Sequence, residues 1–219
     1  IAKKLNDLGH QITIATSNPN YPQGKIFENY KKFSVSKELY NKIEINRIPV
    51  YPRGTNKFQL FLNYFSFILS GIFFFPILLR KKQFDIIFHY GAGPITSSIP
   101  SIFLKIYKKS KLIIWVQDLY PDTLKSYKFV SNSIIISLIS FIVKFIYFFS
   151  DLILVQSKGF IQSINRYSKN KKIIFYPNSI VDIKEIIQSK NQLSTDLLNK
   201  FKRYKCFVFA GNLGEVQSL

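Results

Sequence analysis

The 219-residue sequence has no methionine, one cysteine, two histidines and only 12 acidic residues. A lone thiol, Cys206, excludes an internal disulfide and any multi-cysteine zinc site. Two histidines as far apart as His10 and His89 do not build a metal centre, so no metal cofactor is expected. No glycine-flanked serine elbow and no Gly-Lys-Ser phosphate loop occurs, which removes serine-hydrolase and P-loop chemistry. The first residues, Ile1-Ala2-Lys3-Lys4, lack the apolar core of a signal peptide. The missing methionine is what a processed product or a fragment would show.

What is present is apolar and basic. Hydrophobic residues make up 47% and charged ones 20%, so the chain is not disordered, and its length suffices for one large domain or two small ones. Lysine and arginine number 31, giving a net charge of +19. Three readings stay open. Phosphates of nucleic acid would attract it. An anionic membrane would too, by about 1 kcal/mol per basic residue close to the surface. An AT-rich genome would also produce the abundance of Lys, Ile, Asn and Phe. Nucleic acid is not expected as a partner. The aromatics sit in apolar runs such as Phe73-Phe74-Phe75, not interleaved with basic residues as stacking platforms would be.

Residues 58–79 carry no charge and could span a bilayer; residues 133–149 carry only Lys144. Polar positions in the first are Gln59, Asn63, Ser66 and Ser70, and in the second Ser133, Ser137, Ser140 and Lys144. Both sets follow the spacing four, three, four, which puts them on one helical face opposite a broad apolar one. Basic residues flank the first run on both sides (Lys57; Arg80, Lys81, Lys82), so there is no orientation bias for spanning. We expect both helices to pack on a sheet with apolar surface left to touch lipid. Two spanning helices in a polytopic membrane protein remain the alternative.

Along the chain, helix and strand alternate. Ile1, Leu5 and Leu8 share a helical face that Gly9 stops. Strands are expected at residues 12–16, 42–51, 85–90, 111–116, 151–156 and 172–176, with a further one starting at Phe207. This alternation implies α/β architecture, a Rossmann-like doubly wound parallel sheet covered on both faces. The first helix has no strand before it, and the last strand stands alone, so truncation at both ends is expected. The expected domains are residues 1–182, a linker and helix at 183–205, and the start of a second domain at 206–219.

In open parallel sheets, ligands bind outside the carboxyl ends of the strands. That selects the loops 17–24, 91–94, 117–122, 157–159 and 177–179, and within them Gly91, Gly93, Gln117, Asp118, Tyr120, Ser157 and Asn178. His89 ends a buried-type strand beside them. Asp122, Ser157 and Asn178 are equally ordinary as caps or turn formers, and His89 as a structural residue. Gly211-Asn212-Leu213-Gly214 follows the last strand, where backbone amides could approach a diphosphate.

Three segments together are more specific. Trp115-Val116-Gln117-Asp118-Leu119-Tyr120-Pro121-Asp122 resembles a strand-exit motif of family-4 glycosyltransferases, in a bacterial subgroup that includes N-acetyl-fucosaminyl transferases of surface polysaccharide assembly. Asp151-Leu152-Ile153-Leu154-Val155-Gln156-Ser157-Lys158-Gly159-Phe160 is similar to the next strand and serine loop of that family. The segment from Phe209-Ala210-Gly211 to Leu219 looks like the start of its second domain, and Pro177-Asn178 stands at its interdomain turn. The resemblance implies a GT-B fold, of which this chain would carry mostly the N-terminal, acceptor-side domain. It implies a retaining, metal-independent enzyme moving a sugar from a nucleotide diphosphate, such as a uridine-diphosphate N-acetylamino sugar. The acceptor would be a lipid-linked saccharide of O-antigen or capsule synthesis, at the cytoplasmic face of the bacterial inner membrane. Gly211, Asn212 and Gly214 would then hold the donor diphosphate, and Gln117 and Asp118 would face the transferred sugar. His89, Gly91, Gly93, Tyr120, Ser157 and Asn178 are substrate-binding candidates. Many members carry histidine where this chain has Gln117, which leaves only hydrogen bonding there. The first glycine loop and the paired glutamates are absent, so the 219 residues alone are expected to be inactive. A non-catalytic nucleotide-binding module on the same fold remains a further alternative.

Overall fold

A computed structural model describes residues 1–126, 132–178 and 194–209, which fall into two compact units, 1–176 and 177–219. In the first unit, α1 (Ala2–Asp7) ends at Gly9, whose φ of +91° only glycine adopts cheaply. The chain then enters β1 (Thr13–Ser17), β2 (Ser36–Tyr40) and β3 (Ile43–Ile48). These form a three-stranded sheet of order β1-β3-β2, with β1 parallel and β2 antiparallel to β3. β2 was not expected. It is a polar edge strand joined to β3 by Asn41 and Lys42, both at positive φ, the backbone of a tight hairpin.

The second sheet is all parallel, in the order β4 (Ile86–Gly91), β5 (Lys111–Val116), β6 (Leu152–Val155), β7 (Ile173–Phe175). Its register places Tyr90 beside Trp115, Trp115 beside Leu154, and Leu154 beside Ile174. Helices α3 (Ile99–Lys108), α5 (Ser133–Phe149) and α6 (Phe160–Ser168) alternate with these strands, and the short α4 (Asp122–Ser126) precedes α5. The main core lies under them: Leu112, Ile114, Val116, Ile153 and Val155 meet Ile102, Val143, Ile146, Tyr147 and Ile164. Parallel strands need this apolar cover, because crossover helices bury them.

Among the described residues, the expected cover on both faces is found on one. The opposite face of the second sheet stays open at Ile86, Phe88, Tyr90 and Ile174. There Trp115 is buried among the rings of Phe88, Tyr90 and Tyr176, at centroid distances of 6.1, 5.2 and 5.1 Å, and its indole N–H donates to the Tyr176 carbonyl. The α/β architecture with a parallel sheet flanked by helices therefore holds, as two separate sheets.

Helix α2 (Lys57–Leu78) connects them. Asn56 caps it by accepting from the Gln59 N–H, as Asn132 caps α5 by accepting from Ile134 and Ile135. Gly71 lets α2 approach α3: a Cβ there would lie 2.7 Å from the Pro100 ring. At its end, the buried ammonium of Lys108 donates to the carbonyls of Arg80 and Lys82, where a cation suits a helix C-terminus. Asp151 ties the layers together, accepting from the Leu112 N–H and pairing with Lys105 at 2.7 Å.

In the second unit, α7 (Thr195–Arg203) is capped by Ser194, with Asp196 in its first turn and Lys200, Lys202 and Arg203 in its last. The strand expected from Phe207 is not there within the described residues. Phe207, Val208 and Phe209 are exposed without a ladder, since a lone strand has no partner for its backbone groups. Residues 210–219, with Gly211, Asn212 and Gly214, lie outside the described residues, as do 179–193.

Candidate functional site at the strand ends

The carboxyl ends of β1, β3, β4 and β5 form one polar rim. After β1, Asn18 is buried and donates to the Ser34 carbonyl, which fixes the loop that follows. Asn20 then accepts, through one side-chain oxygen, from the Arg53 backbone N–H at 3.2 Å and from the Asn63 amide at 3.4 Å. Gly24 and Gly54, at φ of +72° and +60°, bring this loop against the one after β3. The Gly54 N–H donates to the Gly24 carbonyl, and a Cβ on Gly24 would sit 2.5 Å from the Gly54 oxygen. Neither loop can carry a larger residue at those contacts.

The Arg53 guanidinium lies 5.1 Å from the Tyr21 ring centre and 5.9 Å from that of Tyr64. Stacking of this kind holds the cation while leaving its N–H edges free to meet oxygen ligands. Among the described residues, no carboxylate pairs with Arg53.

Tyr64 also faces Tyr120, from the β5 exit. Burial, the Asp118 charge and Tyr64 together push the Tyr120 hydroxyl up to about 12, so it stays a protonated donor at neutral pH. Asp118 is exposed, yet partial desolvation holds its carboxyl above the ordinary aspartate range. His89, Gly91, Gly93, Asp118 and Tyr120 line one small recess. Gly91 is required there, because a Cβ would lie 2.9 Å from the Trp115 carbonyl oxygen; Gly93 has open space around it.

His89 has Ser97 Oγ at 3.3 Å from Nε2 and Ser101 Oγ at 3.3 Å from Nδ1. A neutral ring satisfies both, donating at one nitrogen and accepting at the other. Burial lowers its pKa to about 4, so it is uncharged at neutral pH and serves as a hydrogen-bonding group.

Gln117 is buried below the rim. Its backbone carbonyl accepts from the Gln156 side chain at 2.6 Å, which joins the β5 and β6 exits. Ser157 follows at once, but its hydroxyl accepts from the Gly159 N–H and its carbonyl from the Phe160 N–H, the work of a helix-start turn. Asn178 belongs to the second unit. The structure thus brings His89, Gly91, Gly93, Asp118 and Tyr120 together, buries Gln117 outside that recess and leaves Ser157 with a local role. Asn20, Arg53, Asn63 and Tyr64 join the site without having been singled out as ligands by sequence. Asn63 was visible only as part of a polar stripe, and Arg53 only as a residue following the strand expected at 42–51.

Among the described residues, no group of three or more His, Cys, Asp or Glu is placed to hold a metal ion. No protein-family model matches the chain, and no curated protein matches it in sequence.

Proposed function

We propose that this chain is the acceptor-side part of a membrane-associated retaining glycosyltransferase, using a nucleotide-diphosphate sugar and a lipid-linked saccharide. The observation that carries the reading is the rim itself. A stacked arginine without a carboxylate partner (Arg53), amides (Asn20, Asn63), a neutral tyrosine hydroxyl (Tyr120) and a carboxylate (Asp118) share one set of strand ends. Arginine suits a diphosphate oxygen, and amide, hydroxyl and carboxylate groups suit sugar hydroxyls. The motif resemblance around Gln117 and Ser157 points the same way.

The acceptor's diphosphate would meet Arg53, and its sugar would lie toward Asp118 and Tyr120. Asp118 would accept from a sugar hydroxyl, while Tyr120 donates. The donor would come from the region after Phe209, with Gly211, Asn212 and Gly214 on its phosphates. The membrane would be met by α2, whose Phe58, Phe61, Phe65, Leu69, Phe73 and Ile77 form an exposed stripe, flanked by exposed Lys57, Arg80 and Lys81.

Binding of a short-chain prenyl-diphosphate sugar, measured by calorimetry, tests this. The expected result is saturable binding that Arg53→Ala weakens about tenfold or more and Asp118→Asn weakens less, by the usual worth of charge-assisted and neutral hydrogen bonds. Equal affinity for the wild type and Arg53→Ala would remove the rim from the mechanism.

A further inference from the structure

We infer that the cleft between the two sheets is a strand-acceptor slot, which takes one extended apolar polypeptide segment and joins the sheets into a single one. This rests on the sheet edges alone and is independent of the functional reading. Among the described residues, β1 ends one sheet and β4 ends the other, and each has a hydrogen-bonded neighbour on one side only. A cavity of about 860 Å³ touches every residue of β1 and each of the residues 86–90 of β4. Successive side chains of a strand point to opposite faces, so a space that meets all of them meets the strand edge-on.

Neither edge strand carries a charge or proline of its own, and of β1 the Lys82 ammonium reaches only the Thr13 hydroxyl at the start. β1 reads Thr-Ile-Ala-Thr-Ser and β4 Ile-Ile-Phe-His-Tyr-Gly, with no charge and no proline of the kind that blunts natural edges. Both are less buried than β5, which has neighbours on both sides: Ala15, Ile86, Phe88 and Tyr90 are exposed, whereas Leu112, Ile114, Trp115 and Val116 are buried. The walls above and below are Leu5 of α1 on one side and residues such as Phe67 and Leu79 at α2 on the other. In a chain of charge +19, no Lys, Arg, Asp or Glu side chain lines the cavity.

Size agrees. A strand fills a slab of about 4.8 by 10 by 3.3 Å, roughly 160 Å³ per residue, so the cavity takes about five residues. That is the length of β1. An acyl or isoprenoid chain would match the apolar walls but would leave both rows of backbone N–H and C=O groups without partners, the costlier outcome. β1 and β4 run within parallel ladders, so a guest strand parallel to both continues the pattern.

The test adds Val-Ile-Val-Ile-Val and a Gly-Gly turn ahead of Ile1, so that α1 becomes the crossover between guest and β1. A second form carries Val-Pro-Val-Pro-Val, equally apolar but lacking the N–H groups toward one edge. The free Val-Ile peptide with a lysine tail is added in trans to the unmodified chain, in case the fusions fail to fold. Amide hydrogen exchange is read at residues 13–17 and 86–91. The expected result is protection rising on the order of a hundredfold at alternate amides of both strands with the Val-Ile segment, fused or free, and not with the Pro form. Three results would overturn the inference: no added protection from either Val-Ile form, equal protection from the Pro form, or protection by farnesol with neither peptide acting.

Discussion

In α2, the polar positions Gln59, Asn63 and Ser66 turn toward the protein. Asn63 donates to the Tyr51 carbonyl at 2.6 Å, and Ser66 accepts from the Tyr51 N–H at 2.8 Å. Phe58, Phe61, Phe65 and Phe73 of the same helix face outward, while Phe75 is buried with Phe67 and Phe74 packed against its cluster. In α5, the equivalent positions Ser133, Ser137 and Lys144 are exposed, Ser140 bonds back to the Ile136 carbonyl, and Val143, Ile146 and Tyr147 are buried in the core. The polar stripe of α2 thus turns inward and that of α5 outward, although α5 also exposes Ile134, Leu138, Phe141 and Phe148. What lies beneath decides. α5 rests on Ile and Val side chains of β5 and β6, which accept only apolar cover. The first turns of α2 rest on the chain leaving β3, whose free backbone groups need polar partners. The outward stripe of α2 is therefore a consequence of its anchoring, and it leaves an apolar surface for lipid.

The largest effect is expected from the buried side of α5. Ile146→Ala should lower unfolding free energy by about 2–5 kcal/mol in urea titrations, whereas Phe65→Ala on α2 should change it by less than about 0.5 kcal/mol. Equal losses would mean that α2 is clamped as α5 is.

Next comes acid. α3, between the two helices, supplies Ser101 to His89, whose folded pKa is about 4 against 6.5 for a free histidine. The unfolded chain binds the proton first as pH falls, so stability is full above pH 6.5 and declines toward pH 4, by up to roughly 3 kcal/mol. His89→Gln should flatten that part of the stability–pH curve. An unchanged slope would place the sensitivity elsewhere.

Smaller still, Ser66→Ala should cost about 1–2 kcal/mol by leaving the Tyr51 N–H without its partner, while Ser137→Ala on α5 should be neutral within about 0.5 kcal/mol. Thermal melts of the pair would expose any symmetry between the stripes. The smallest change is expected at Tyr147, whose buried hydroxyl has no hydrogen-bond partner among the described residues and whose pKa burial raises. Tyr147→Phe should be neutral or stabilise by about 1 kcal/mol. A loss would reveal a role for that hydroxyl.

Local pattern made much of this legible. β5 and α5 fall where apolar runs and breakers place them, and Gly9 stops α1 as its position suggests. β2 escaped notice because Ser-Lys-Glu-Leu-Tyr is polar and its turn uses Asn41 and Lys42 where glycine usually signals a hairpin. The strand-end rule found Asp118, Tyr120 and His89. It did not find Arg53 or Tyr64, because their meeting depends on how α2 crosses the loop after β3, a tertiary fact with no sequence period. The polar stripes were legible in both helices, but their direction was not, since spacing defines a face without saying what it faces.

Flotation of the chain with vesicles, anionic against neutral, at low and high salt, tests the account of α2 most directly. The wild type should float with anionic vesicles and be released by salt, as clustered lysines near a membrane behave. The triple variant Phe61→Ser, Phe65→Ser, Phe73→Ser should stay in solution with its melting temperature kept, because those side chains are 60%, 48% and 63% exposed. A wild type that ignores anionic vesicles, or a triple variant that floats as well or unfolds, would contradict it.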